Sequence, residues 1–181
     1  MGKLTLRDDV AIGSLEQSHA ANMVAWMHDP EISGNIGLTR SPSLEATQAW
    51  IASALSGTSV WPYAIFLAGS HVGNVVFDQR DSYLGSARLS VYVGPVESRG
   101  SGVGVTGMYL ALRDCFASRG LHKAWLTVHS RNSRAICAYT RLGFEVEGVL
   151  RDGFLLGGER IPALYMGLLR DDFLALETEA A

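Results

Sequence analysis

Only two cysteines occur in 181 residues, so no disulfide framework holds this chain together. Cys115 and Cys137 fall on apolar positions of helix-like stretches, and both are expected as buried thiols rather than a bridge or a metal pair. The five histidines (His19, His28, His71, His122 and His129) lack ligand spacing, so no metal is expected. No run approaches 18 apolar residues. Met1-Gly2-Lys3-Leu4 lacks the apolar stretch of a secretion signal, so the expectation is a cytoplasmic protein without a membrane partner. A net charge of only −3 argues against a nucleic-acid partner. Repeats, linkers and low-complexity tracts are also missing. What remains is one domain, with 48% hydrophobic residues to build its core.

The most informative stretch is Arg99-Gly100-Ser101-Gly102-Val103-Gly104. It follows the strand-like run Leu89 to Val93 and opens a helix-like run from about Val105. Glycines in a strand-to-helix turn let backbone N–H groups approach a ligand at a helix N-terminus, an arrangement suited to a phosphate or pyrophosphate. Gly102-Val103-Gly104-Val105-Thr106-Gly107 also matches G-x-G-x-x-G literally. A dinucleotide site would place an acid about 20 residues further on, where Lys123 to His129 runs instead. A glycine-rich turn with no ligand is the third reading of the loop alone.

The next segment decides between them. Leu121 to Val128 reads as a buried strand, followed by Asn132-Ser133-Arg134-Ala135-Ile136-Cys137-Ala138-Tyr139-Thr140-Arg141-Leu142-Gly143-Phe144-Glu145-Val146-Glu147-Gly148. Asn132 and Tyr139 are seven apart, two helical turns, and so share a face. Arg99-x-x-Gly102-x-Gly104, the Asn, the Ala-Ile pair, the Tyr, Leu-Gly-Phe and Glu-Gly together resemble the GNAT superfamily of N-acetyltransferases. The resemblance covers most of the chain and is clearest from Ala87 to Phe173. It points to the RimJ/RimL-like branch, which includes enzymes acetylating protein N-termini and nucleotide-linked amino sugars.

The resemblance implies a single α/β domain over residues 1–181, a mixed and mostly antiparallel sheet flanked by helices. Residues 1–98 form the acceptor side and 99–181 the acetyl-CoA side. Patterning assigns strands to Leu4–Arg7, Trp61–Leu67, His71–Phe77, Ala87–Val93, Lys123–Val128, Phe144–Leu150 and Arg160–Leu168. Helices are expected over Ser14–His28, Ser43–Leu55, Val105–Arg119 and Asn132–Leu142, with Glu31–Ser41 as a loop. Charge divides along the same line. Residues 99–151 hold eight bases against three acids, and residues 1–98 hold five against nine. A basic half suits an anionic cofactor, and an acidic half suits a cationic amine.

The implied reaction is attack of a neutral amine on the acetyl-CoA thioester by direct transfer. By resemblance, Gly100, Ser101, Gly102, Val103 and Gly104 hold the pyrophosphate, with Arg99 and Arg134 adding charge. The strand edge Val91, Tyr92 and Val93 pairs with the pantetheine arm, and Asn132 bonds that arm. Tyr139 is the candidate acid, a phenol of pKa ~10 facing a thiolate of pKa ~8.5. The usual carboxylate position on the strand before the loop holds Arg88, which cannot act as a base. Asp78, His129 or a water relay are the substitutes, and Arg88 is a candidate anchor for an anionic acceptor group. Trp26 and Glu31 are the further acceptor-binding candidates. The expected acceptor is a small-molecule amine, such as an amino sugar or an antibiotic. A peptide N-terminus and a catalytically weak acyl-CoA sensor are the alternatives, and a homodimer is left open.

Overall fold

The computed structural model describes residues 4–38 and 40–180, with side chains described as far as Thr178. Seven strands form one sheet: β1 (Val10–Ser14), β2 (Trp61–Leu67), β3 (Ser70–Asp81), β4 (Ser86–Val93), β5 (Lys123–His129), β6 (Glu145–Leu156) and β7 (Glu159–Leu169). Their order is β1-β2-β3-β4-β5-β7-β6. All neighbours pair antiparallel except β4 and β5. The helices are α1 (Ala20–Met27), α2 (Pro30–Asn35), α3 (Leu44–Ser56), α4 (Val103–Ser118), α5 (Ser133–Arg141) and α6 (Arg170–Ala180).

Strand periodicity splits the core between the two sheet faces. Ile65, Phe77, Leu89 and Leu126 join Met108, Leu112 and Phe116 of α4 in the larger cluster. Ala64, one residue from Ile65, instead meets Ala20, Met23 and Ile51 of α1 and α3. α4 approaches β2 closely at Gly107, where a Cβ would sit 2.7 Å from Ile65 Cδ1.

Several expectations are corrected. Leu4–Arg7 is not a strand; the first strand begins at Val10. The helix expected over Ser14–His28 starts only at Ala20, after a 3-10 turn at Gln17–His19. The expected loop Glu31–Ser41 contains α2, with Pro30 at its first turn and the Asp29 carboxylate capping Glu31 N–H. α6 was not anticipated; its Phe173 is fully buried against Tyr109 and Phe116, with ring centroids 5.3 Å apart in each case. Cys115 is buried as expected, but Cys137 is exposed.

Candidate active site

β4 and β5 pair only at Ser86–Lys123, Ala87–Ala124 and Arg88–Trp125. Beyond Arg88 the β5-facing edge of β4 has no strand partner, and the two strands part. A cavity of about 360 Å³ fills the gap. Val91–Val93 and Thr127–Val128 form two of its walls, Gly100, Gly102 and Gly104 one end, and Asn132, Arg134 and Tyr139 of the α5 segment another side. Ile32 and Asn35 of α2 cover it.

The glycine turn is built for backbone contact. Gly100 and Gly102 are left-handed, with φ of +74° and +89°, and Gly102 is the N-cap of α4. Nothing lies within 4 Å of a Cβ built on Gly100. Arg7, outside the predicted motifs, steadies the turn. Its backbone N–H donates to Thr106 Oγ1 at 3.1 Å, and its guanidinium donates to the Ser101 carbonyl at 3.1 Å. Ser101 Oγ donates to the Ser98 carbonyl at 2.7 Å, pointing back into the turn. Open left-handed glycines at a helix N-terminus, an unpaired strand edge and exposed cations fit an elongated ligand with a diphosphate and an amide-bearing arm.

Arg99 lines the cavity, but its side chain is only 10% exposed and makes four hydrogen bonds. Nε donates to the Val93 carbonyl at 3.1 Å, and Nη2 to the Gly94 carbonyl at 2.6 Å. Nη2 also meets Asp29 at 2.6 Å, and Nη1 meets Glu31 at 2.9 Å. This geometry makes Arg99 the clamp between the end of β4 and α2, in place of the free phosphate cation expected from the motif. Arg134 is more than half exposed and pairs with the other oxygen of Glu31.

Asn132 caps α5, its Oδ1 accepting from Ala135 N–H at 3.0 Å, while its Nδ2 donates to Asn35 Oδ1 at 3.2 Å. His129 Nε2 lies 2.9 Å from the same oxygen. An amide oxygen only accepts, so Nε2 carries the imidazole proton. His129 Nδ1 is buried without a partner among the described residues. Burial, and then the Arg131 charge, hold the His129 pKa below its ordinary value. His129 therefore reaches the cavity only through Asn35, with its basic nitrogen sealed off. Asn35 joins the site without having been anticipated, because its segment reads as a loop.

Tyr139 lines the cavity, and burial pushes its pKa up to about 12. The other candidates lie elsewhere. Asp78 and Arg88 are register partners on β3 and β4 and form a two-point ion pair at 2.8 and 2.7 Å. Neither is among the residues lining the cavity. Trp26 packs behind β4, its ring centroid 4.9 Å from His71 and 6.4 Å from Tyr92. A Cβ at Gly94 would collide with its indole. Trp26 thus supports the wall from behind. Tyr92, part of the wall, receives a hydrogen bond at its hydroxyl from the fully buried Asn74 at 2.7 Å. No helix among the described residues is long and apolar enough to cross a membrane.

Comparison with known proteins agrees with this geometry. Spermidine N(1)-acetyltransferase of Escherichia coli K12 is 33% identical over 89 residues, 49% of this chain and 47% of that protein. The chain thus matches about half the length of its curated relatives. Spermidine N-acetyltransferase of Vibrio cholerae, solved with CoA and spermine, superposes with a TM-score of 0.87 at 20% identity, covering 93% of this chain and 99% of that one. A dodecameric structure of the Vibrio cholerae enzyme gives 0.80 at 19% identity, covering 93% and 98%. At these identities the superpositions speak for the fold alone. Residues 10–145 match the family described as the acetyltransferase (GNAT) domain, for which acetyl-CoA is the acyl donor. The match takes in β1 to β5, the glycine turn and the helix bearing Asn132 and Tyr139, and the chain belongs to the GNAT acetyltransferase family.

Proposed function

We propose that the protein transfers the acetyl group of acetyl-CoA directly to a primary amine, and that this amine is a polyamine of the spermidine type. The observation that carries the reaction class is the parting of β4 and β5 beyond Arg88 and Trp125, with the glycine turn at one end and Tyr139 in the wall. The Gly100 to Gly104 amides and Arg134 bind the diphosphate, and the free edge at Val91–Val93 orients the amide-bearing arm. Bound acetyl-CoA supplies the activated acetyl thioester. Tyr139, whose pKa burial pushes up to about 12, keeps its proton at Oη through neutral pH, gives it to the departing sulfur and takes one back from solvent. Ile32 and Ile36 of the α2 segment exclude water from the acceptor side. Neither Asp78 nor His129 lines the cavity, so the amine gives up its proton to solvent at the open mouth.

The polyamine reading is supported by the spermidine acetyltransferases that the chain resembles at 33% identity. The RimJ/RimL-like branch, with amino-sugar, antibiotic or peptide acceptors, rests on the motif resemblance. Assembly of several copies belongs to the same reading, in keeping with the dodecameric relative. The test is acetyl-CoA turnover against spermidine, spermine, amino sugars, aminoglycosides and N-terminal peptides. Turnover with the polyamines foremost is expected. No turnover with any amine would refute the enzyme reading and leave an acyl-CoA sensor. Preference for another class would refute the polyamine.

A further inference from the structure

Glu31 is the one carboxylate among the described residues lining the cavity, which Arg99, Arg134 and Arg141 also line. Its two oxygens are divided between two of them. Oε2 meets Arg99 Nη1 at 2.9 Å, and Oε1 meets Arg134 Nη2. The two arginines are not equivalent. Arg99 is 10% exposed and held by three further acceptors, so it cannot leave without unseating the end of β4. Arg134 is 57% exposed, and Glu31 is its one partner among the described residues.

The backbone carrying Glu31 is fixed on either side of this exposed tie. Asp29 is held by Arg99, and Asn35 receives His129 and Asn132. Glu31 therefore stays at the cavity when Arg134 moves. With both arginines in place, Asp29, Glu31, Arg99 and Arg134 balance, and a cationic amine arriving at Glu31 finds both carboxylate oxygens taken. With Arg134 engaged by an anion, the two acids outweigh Arg99, and the Glu31 carboxylate has a free oxygen for an ammonium.

We infer that Glu31 is the ammonium-binding carboxylate of the acceptor site and exchanges Arg134 for the amine when the cofactor diphosphate takes Arg134. Cofactor and amine then bind cooperatively through a traded ion pair. The inference rests on the acetyltransferase reading above, from which its test is separable. By reciprocity, each ligand raises the affinity for the other by the same factor.

Calorimetry on the full chain gives the readout without catalysis, with coenzyme A and spermidine as probes. Glu31→Gln should tighten coenzyme A about two- to fivefold, the strength of an exposed pair no longer to be broken. The same variant should weaken spermidine about tenfold in the presence of coenzyme A. In the wild type, saturating coenzyme A should tighten spermidine by about two- to fivefold, and Arg134→Met should abolish that gain while weakening coenzyme A. Opposite effects of one substitution on the two ligands are not what a purely structural Glu31 would give. Thermal melts check that the variants fold, and Arg134→Met tests the exchange from the other side. Unchanged or weaker coenzyme A binding in Glu31→Gln overturns the exchange, as does spermidine binding indifferent to coenzyme A. A wild type that binds no coenzyme A overturns the acetyltransferase reading, and the exchange with it.

Discussion

Replacing Arg99 separates a clamp from a phosphate ligand. The guanidinium makes two bonds to the carbonyls that end β4 and two to the acids of the α2 segment. The acids return to water when it is removed, so their pairing adds little to the cost. The Val93 and Gly94 carbonyls are left under a partly closed wall. Hydrogen bonds from a charged donor are worth roughly 1.5–3 kcal/mol each, so losing both costs about 3 kcal/mol. For a domain of this size that lowers Tm by roughly 6–12 °C. Arg99→Ala should show this drop and raise KM for the amine as α2 loosens, with coenzyme A affinity within about threefold of wild type. Arg99→Lys keeps the charge but loses the fork, so it should fail to restore Tm. Scanning calorimetry and titration calorimetry on the three proteins decide the matter. A near-native Tm in Arg99→Ala with coenzyme A weakened tenfold, restored by lysine, would return Arg99 to the phosphate.

The same variant makes a prediction in acid. The Arg99 guanidinium, and then Glu31 N–H, hold the Asp29 carboxyl below its ordinary 3.8. A depressed carboxyl stabilises the fold above its unfolded pKa and loses that contribution as pH falls through the folded value. Tm of the wild type should therefore fall more steeply below about pH 4 than Tm of Arg99→Ala.

Tyr139→Phe should cut kcat at least about tenfold while coenzyme A affinity holds, read by steady-state kinetics beside calorimetry; wild-type kcat would make Tyr139 packing alone. Gly102→Glu sets a negative side chain on a left-handed residue at the mouth of the glycine turn, and should abolish coenzyme A binding in a protein that still melts cooperatively. Asp78→Asn and Arg88→Ala should each leave kcat/KM within about threefold and show coupled stability losses in a double-mutant cycle. A rate loss in Asp78→Asn that is largest at low pH and shrinks as pH rises would instead restore it as the base. The buried His129 resists protonation, so the unfolded chain takes up a proton first as pH falls below about 6.5, and stability drops with it. His129→Gln, which keeps a donor for Asn35, should flatten Tm between about pH 6.5 and 5.

The strands and the two cofactor-side helices were legible because burial imposes a period on them. Ala87, Leu89, Leu126 and Val128 alternate, and Val105, Met108, Leu112 and Phe116 recur at helical spacing. The glycine turn and the two-turn offset of Asn132 and Tyr139 were legible because local backbone demands fix those residue types. α2 was not. Six residues with two glycines and serines nearby carry no periodic signal, and the helix forms under a Pro at its first turn and contacts up to 103 positions away. The same limit hid Asn35 and Arg7, whose partners lie 94 to 99 positions away. Arg99 was placed correctly at the cavity, but its charge was assigned outward when the fold turns it inward. Residue type reveals that a guanidinium is present; only the fold shows which carboxylates reach it first.

Reversal at residue 88 is consistent with that inward turn of charge. An arginine facing Asp78 across β3 and β4 closes its own ion pair at the last rung before the strands part. The pair lies beside the splay without entering the cavity. Among the residues lining the cavity, acidic charge is confined to Glu31 on α2. A carboxylate on a strand would sit at fixed distance from the thioester, whatever else is bound. A carboxylate on α2 answers to the cations around it, and those are drawn from the glycine turn and α5. Moving the acid from strand to helix exchanges a fixed site for one that responds to its partner ligand.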